Sequence, residues 1–198
     1  MIEPIIYISY CMNDFIEQAE NITSLEKEVR EELAELLKKR TFKKGEMVNH
    51  KGKISRHLYF VEKGLLKHYY YHNGNQYILR FFCDHRFVTI SDSFLSNIPA
   101  KYSTIALEDS TLIYLEYDKM EYLCSKYHSF ERFIRIVISN MAIMSIERLK
   151  TMLHENATER YDKFILEYGH LQQRISLGDT ASFLGISQVS LSRIRSRK

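Results

Sequence analysis

Leu177-Gly178-Asp179-Thr180-Ala181-Ser182-Phe183-Leu184-Gly185-Ile186-Ser187-Gln188-Val189-Ser190-Leu191-Ser192-Arg193-Ile194-Arg195 is the stretch that decides how this chain is read. Its pattern is that of two short helices crossing at about 90–120° through a tight turn. Helices that cross so steeply need a small residue where they touch, and Ala181 supplies it. Gly185 stands where the first helix must stop and reverse, which calls for a left-handed backbone that a residue without Cβ adopts freely. Ile186 then points inward, and Ser187 is a good N-cap for the second helix. Leu191 and Ile194 return apolar side chains toward Leu177, Thr180 and Leu184.

The second helix is left with Gln188, Val189, Ser190, Ser192, Arg193 and Arg195 on its open face. Such a set suits a DNA major groove. Gln and Arg form paired hydrogen bonds with base edges, and Val meets a thymine methyl. Residues at the start of such a helix reach the bases most directly. Gln188, Val189 and Arg193 are the expected base contacts. Ser187, Ser190, Arg195, Arg197 and Lys198 are the expected phosphate contacts. The plain alternative is a helical hairpin with a solvated polar face. The small residue, glycine turn, serine cap and apolar staples at these spacings favour DNA.

Charge points the same way. From Asn156 onward seven basic residues (Arg160, Lys163, Arg174, Arg193, Arg195, Arg197, Lys198) face four acids (Glu159, Asp162, Glu167, Asp179). That excess equals the net charge of the whole 198-residue chain, +3. A polyanion partner suits a basic cluster at one end.

Upstream the pattern is mixed helix and strand, an α+β class. Thr23 to Arg40 reads as a helix opened by a Thr23/Glu26 capping box, with a short helix before it near Asn13–Glu20. Strands are expected at Thr41–Val48, His57–Glu62, Leu65–Tyr71, Gln76–Phe82, Tyr102–Ala106 and Thr111–Tyr117. Asn73-Gly74 marks a tight hairpin and Glu62-Lys63-Gly64 a turn. Many short strands at regular spacing indicate a barrel or jelly roll. Asp118 caps a short helix ending near Lys126. Ser129 opens a long one to about His154, whose apolar positions fill more than one stripe. One stripe would face the strands. The other, with Phe133, Val137, Met141 and Met144, would face a second copy of the chain; the plain alternative is that the same chain covers both. The expected units are an N-terminal extension (1–22), a helix plus β-roll (23–117), a short helix and dimerisation helix (118–155) and the DNA-binding helix-turn-helix (156–198).

Composition excludes several classes. Two prolines and seven glycines in a chain that is 45% hydrophobic do not describe disorder. Met1–Tyr10 carries Glu3 and Pro4 and lacks a basic start, so neither a signal peptide nor a membrane span is expected, and the compartment is expected to be the cytoplasm. Cys11, Cys83 and Cys124 lie far apart, without a CxxC or Cys/His cluster. Zinc, iron–sulfur and disulfide frameworks are not expected. The histidines, among them His50, His57, His68, His72 and His85, form no HxH and read as surface or strand residues. An enzyme on a small β-barrel would need a converging metal set, and no acid–base or nucleophile triad spacing appears. The chain is not expected to be an enzyme.

Ala181-Ser182-Phe183-Leu184-Gly185-Ile186 followed by Ser190-Leu191-Ser192-Arg193-Ile194-Arg195, with Glu159-Arg160-Tyr161 and Leu171-Gln172-Gln173-Arg174-Ile175 before them, resembles the Crp/Fnr superfamily of transcription regulators. The resemblance runs from about Thr23. It implies a cyclic-nucleotide-binding β-roll (a double-stranded β-helix, or jelly roll), a long dimerisation helix and a winged helix-turn-helix. It further implies a homodimer on a palindromic operator, RNA polymerase as a further partner, and no membrane partner. Members that bind cyclic AMP carry a Gly-Glu pair, and about ten residues on an Arg followed by Ser or Thr. Here Thr89-Ile90 and Tyr102-Ser103 stand at those places, and only Ser103 matches. A buried phosphate would lack its cation, so cyclic AMP is not expected as an effector. Thr89, Ser91, Tyr102 and Ser103 remain a candidate pocket for another effector of unknown kind, and no cofactor is predicted. The interval Gly169–Ser176 leaves room for only a reduced wing, and no C-terminal strand of the larger relatives is expected after Lys198. The competing reading is a sensor of cyclic-nucleotide type that regulates a protein partner without touching DNA.

Overall fold

The structure, a computed structural model, describes residues 15–196. Cys11, Arg197, Lys198 and the start of the chain lie outside the described residues. Helices α1 (Phe15–Ile22) and α2 (Lys27–Leu36) lead in. Eight strands follow: β1 (Lys38–Phe42), β2 (Met47–Asn49), β3 (His57–Lys63), β4 (Leu66–His72), β5 (Asn75–Phe82), β6 (Phe87–Val88), β7 (Ser103–Ala106) and β8 (Ser110–Glu116), with α3 (Ser91–Ser96) between β6 and β7. They form two antiparallel four-stranded sheets, ordered β1-β8-β3-β6 and β2-β7-β4-β5. Helices α4 (Tyr117–Lys126), α5 (His128–His154), α6 (Ala157–Tyr168), α7 (Leu177–Leu184) and α8 (Gln188–Ser196) complete the chain.

The β-roll is covered on one outer face as well as filled within, and β3 shows why its sequence is apolar throughout. Tyr59 and Val61 turn inward with Phe42, Leu66, Val88 and Leu112. Leu58 and Phe60 turn outward against Phe15, Leu115, Phe130 and Phe133. A strand buried on both faces loses the alternation of a half-exposed one. At the Asn73-Gly74 hairpin both residues have positive φ, 48° and 77°, as a primed two-residue turn requires.

Several boundaries differ from expectation. The helix expected over Thr23–Arg40 begins at Lys27 and ends at Leu36, because Lys38–Phe42 pairs with β8. The Thr23/Glu26 capping box does not form. Glu26 is itself the N-cap, without a side-chain cap, and its carboxylate accepts from the Ser129 hydroxyl instead. The strand expected over Thr41–Val48 is two strands, broken by a turn in which the Glu46 amide donates to the Lys43 carbonyl. Asp118 lies in the first turn of α4, and the N-cap is Glu116. The two-residue strand β6 was not anticipated.

The long helix α5 changes partner along its length. Phe130, Phe133, Ile134 and Val137 are buried. Phe133 packs edge-on against Phe15 and Phe87, with ring centroids 6.1 and 5.4 Å away. Phe133 and Val137, expected to meet a second copy, thus belong to the chain's own core. Met141 is partly buried against the same core, and Met144 is half-buried. On the opposite side Ile143, Ile146, Leu149 and Leu153 are exposed, from 48% to 68%.

Candidate nucleic-acid interface

The head of the molecule is built from α6, a connector and the α7–α8 pair. Asn156 caps α6 in a capping box with Glu159. The connector 169–176 holds one turn of 3-10 helix and no strand, so the wing is absent at this place. Leu171 and Ile175 anchor it from inside. Ser176 caps α7 by accepting from the Asp179 amide at 3.0 Å. Gly185 ends α7 in the left-handed conformation with φ of 68°, and the Ile186 amide donates back to the Ala181 carbonyl at 3.1 Å. Ala181 is 2% exposed at the crossing. Ser187 opens α8, its hydroxyl accepting from the Ser190 amide at 3.1 Å.

Leu191 is fully buried, with Leu184 and Ala181 in the same cluster and Ile186 and Ile194 packed against it. Leu177, expected in this seam, is half exposed instead, at the mouth of a small cavity near Arg195. It sits at the first position of α7, one turn beyond the crossing. Gln188, Val189, Ser192, Arg193 and Arg195 are exposed together. Ser190 is half-buried, and its hydroxyl is paired with that of Ser187 at 3.0 Å.

The basic residues separate into two kinds. Arg160 donates to the Leu184 and Glu155 carbonyls, and Lys163 pairs with the Glu155 carboxylate. Arg174 forms a two-pronged bond with Glu108, at 3.1 and 2.6 Å, and reaches Asp84 and the Gly64 carbonyl. These three serve the fold rather than a partner. Arg193 and Arg195 form no ion pair among the described residues.

Sequence reading missed how the head is seated. Phe183 of α7 packs against Phe81, Phe164 and Tyr168 with tilted or edge-on rings, centroids 5.4 to 5.7 Å apart. The Arg148 guanidinium of α5 lies 3.8 Å above the Phe183 ring. Partners such as Phe81 and Phe183 stand about a hundred positions apart, so no local pattern announces them.

The four residues of the candidate effector pocket do not share a cavity. Thr89 is buried and donates to the His57 carbonyl at 3.0 Å. Ser103 is buried and accepts from the Lys51 amide at 3.0 Å. Tyr102 lies against His68, centroids 5.1 Å apart. His68 is fully enclosed. Its ring nitrogens meet the Thr104 hydroxyl at 2.9 Å and the Thr89 carbonyl at 3.2 Å, and Phe82 meets it edge-on with centroids 4.5 Å apart. Burial pushes its pKa down to about 3. Ser91 alone of the four lines an open groove of about 210 Å³, between α3 and α5, with Asp92, Leu95, Met141, Ala142 and Ser145. Among the described residues no three metal-binding side chains converge, and no helix is long and apolar enough to cross a membrane.

Comparison with known proteins places this architecture. Residues 39–127 match the cyclic nucleotide-binding domain family. FixK2 from Bradyrhizobium japonicum superposes with a TM-score of 0.73 at 16% identity, over 81% of this chain and 83% of that one. The c-di-GMP-responsive global regulator CLP from Xanthomonas campestris gives 0.70 at 14% identity, over 87% and 91%. A protein from Eubacterium rectale named as a transcriptional regulator of the Crp/Fnr family gives 0.70 at 16% identity, over 86% and 82%. No curated protein matches the sequence. The chain therefore has the fold of the Crp/Fnr-type regulators, built around a cyclic nucleotide-binding domain.

Proposed function

We propose that the chain is a transcription regulator that reads double-stranded DNA through α8, as a homodimer on a palindromic operator. The observation that carries this reading is the open face of α8. Gln188, Val189, Ser192 and Arg193 point to solvent from a helix whose other side is locked by Leu191, and Arg193 and Arg195 pair with no acid among the described residues. Base contacts are assigned to Gln188, Val189 and Arg193. Phosphate contacts are assigned to Ser187, Ser190 and Arg195, with Arg197 and Lys198 at the end of the chain.

The exposed row of α5 supports pairing with a second copy. Ala142, Ile146, Leu149 and Leu153 follow one another at spacings of four, three and four residues, as in the seam of a two-stranded coiled coil. A dimer would set two copies of α8 about one DNA turn apart, roughly 34 Å. RNA polymerase is the expected further partner. Cyclic AMP is not the effector in this reading, because His68, Phe82 and Tyr102 fill the roll and Tyr102 stands where the resemblance calls for arginine.

Selection of random genomic fragments by the purified protein, with and without cyclic AMP, tests the whole reading. Enrichment of one palindrome in both arms is expected. Enrichment only with the nucleotide would overturn the effector statement and keep the regulator. Absence of enrichment in both arms would favour a sensor acting on a protein partner.

A further inference from the structure

The head does not hang from α5 alone. It is docked on the β-roll of its own chain, and the docking surface has a charge pair at its centre. The Lys67 ammonium on β4 lies 2.5 Å from the Asp179 carboxylate on α7, with side chains 9% and 15% exposed, and 3.0 Å from the Gln76 side-chain oxygen. Arg174 in the connector holds Glu108, Asp84 and the Gly64 carbonyl on the turns at the end of the roll. Around these pairs Leu65, Ile78 and Phe81 of the roll join Phe164, Tyr168 and Phe183 of the head in one apolar cluster.

An apolar cluster alone would hold the head. Aromatic surfaces tolerate small rotations, since dispersion and burial are not directional. A buried ion pair behaves differently. It repays the desolvation of two charges only when the geometry is met, and it is often no more stabilising than apolar residues of the same volume. Its contribution is register: a slightly rotated head would strand a carboxylate and an ammonium away from water.

We propose that Lys67 and Arg174 are positioning residues for DNA reading, which hold α7 at one angle on the roll and so fix where α8 stands in each half of the dimer. They touch no DNA. The proposal rests on the DNA-reading function above. It predicts that the spacing between half-sites, rather than the base sequence of a half-site, is written by this docking surface. One base pair more or less displaces a half-site by about 3.4 Å along the duplex and rotates it by roughly a tenth of a turn. A rigid head should reject that change and a loosened one should follow it.

The test compares the wild-type chain with Lys67→Met, and with Arg174→Gln as a second variant at a more exposed position should the first fail to fold. Hydrogen exchange of the free proteins comes first, because it does not depend on DNA. Exchange in 157–184 is expected to accelerate in the variants while β3 and β8 keep their wild-type rates. Unchanged exchange in the head of both variants would overturn the proposal, whatever DNA does. Selection on operators with variable spacers follows. Wild type is expected to favour one spacing by about tenfold, and the variants to accept neighbouring spacings while choosing the same half-site bases. A variant that binds more weakly at every spacing but keeps the same spacing preference would also overturn it, leaving the pairs a purely structural role. Failure of the wild type to select any palindrome would instead reject the function proposed above, and the exchange data would still decide the docking.

Discussion

The roll and the head carry polar residues of the same kinds, and what differs is who satisfies them. Inside the roll His68, Thr89, Ser103 and Thr104 bond one another or the backbone. On α8 the Gln188 and Arg193 side chains face water. The lesson is that a polar side chain in a binding fold marks a site only where the protein leaves its bonding capacity open. The roll, the part of the fold that matches a ligand-binding domain, is closed at these four residues. The head, the smaller part, is open.

Substitutions should separate the two regions by their effect on folding. Phe133→Ala removes a ring from the core shared by the roll and α5, and thermal or urea unfolding should register a loss of about 3–5 kcal/mol. A loss below about 1 kcal/mol would mean that the roll and α5 pack more loosely than their ring contacts imply.

Acid should weaken the roll through His68. Its pKa falls from 6.5 in the unfolded chain to about 3 in the folded one, so the unfolded chain binds the extra proton. Stability is full above pH 6.5 and declines as pH falls from there, by at most about 1.4 kcal/mol per pH unit. Below pH 4.5 Glu32 adds a second loss. Hydrogen bonds from Lys126, Tyr122 and Tyr127 hold its carboxyl at about 2 when folded, and that support disappears as the pH approaches 2. Melting temperatures of wild type and His68→Gln between pH 7 and 4.5 check the first part. Parallel curves would show that His68 is not the group that titrates.

Gly185→Val places a β-branched residue at φ of 68°, at a cost of about 1–3 kcal/mol. Its first consequence should be lost DNA affinity with only a modest drop in melting temperature, since the strain falls on the α7–α8 turn and the new Cβ meets the flexible end of Met152, 3.1 Å away. A variant that melts and binds like wild type would remove the turn from the argument.

Arg193→Ala should have no effect on folding beyond about 0.5 kcal/mol, because the side chain is exposed and has no ion-pair partner among the described residues. On DNA it should cost about 1–3 kcal/mol at the selected sequence and relax the choice of base. Titrations on specific and random duplexes check this, and equal losses on both would reassign Arg193 to phosphate contact.

The head was largely legible in the sequence because its determinants are local. Ala181, Gly185, Ser187 and Leu191 lie within eleven positions, and each carries a conformational requirement of its own. The strands of the roll were legible from runs such as Leu58–Val61, although β6, with two residues, is too short to leave a pattern. The Thr23/Glu26 box misled because Ser129, distant in sequence, competes for the Glu26 carboxylate. Phe133 and Val137 were placed at the wrong surface because periodicity reports that a helix has two apolar sides, not which neighbour covers each. The Lys67–Asp179 and Arg174–Glu108 pairs join positions that only the folded chain brings together.

Gly64 carries a consequence for how this sequence can diverge. A side chain there would collide with Ser110, whose Cβ and Cα would lie 2.4 and 2.7 Å from the new carbon. Its amide is bonded to Asp84 and its carbonyl to Arg174, while Ser110 is bonded in turn to the Leu65 amide and the Glu108 carbonyl. Gly64, Asp84, Glu108, Ser110 and Arg174 therefore share one constraint, since the Glu108 carboxylate also holds Arg174. In related chains they should change as a group or not at all, so that a lineage altering Gly64 or Ser110 would be expected to show a rewritten partner for Arg174 as well.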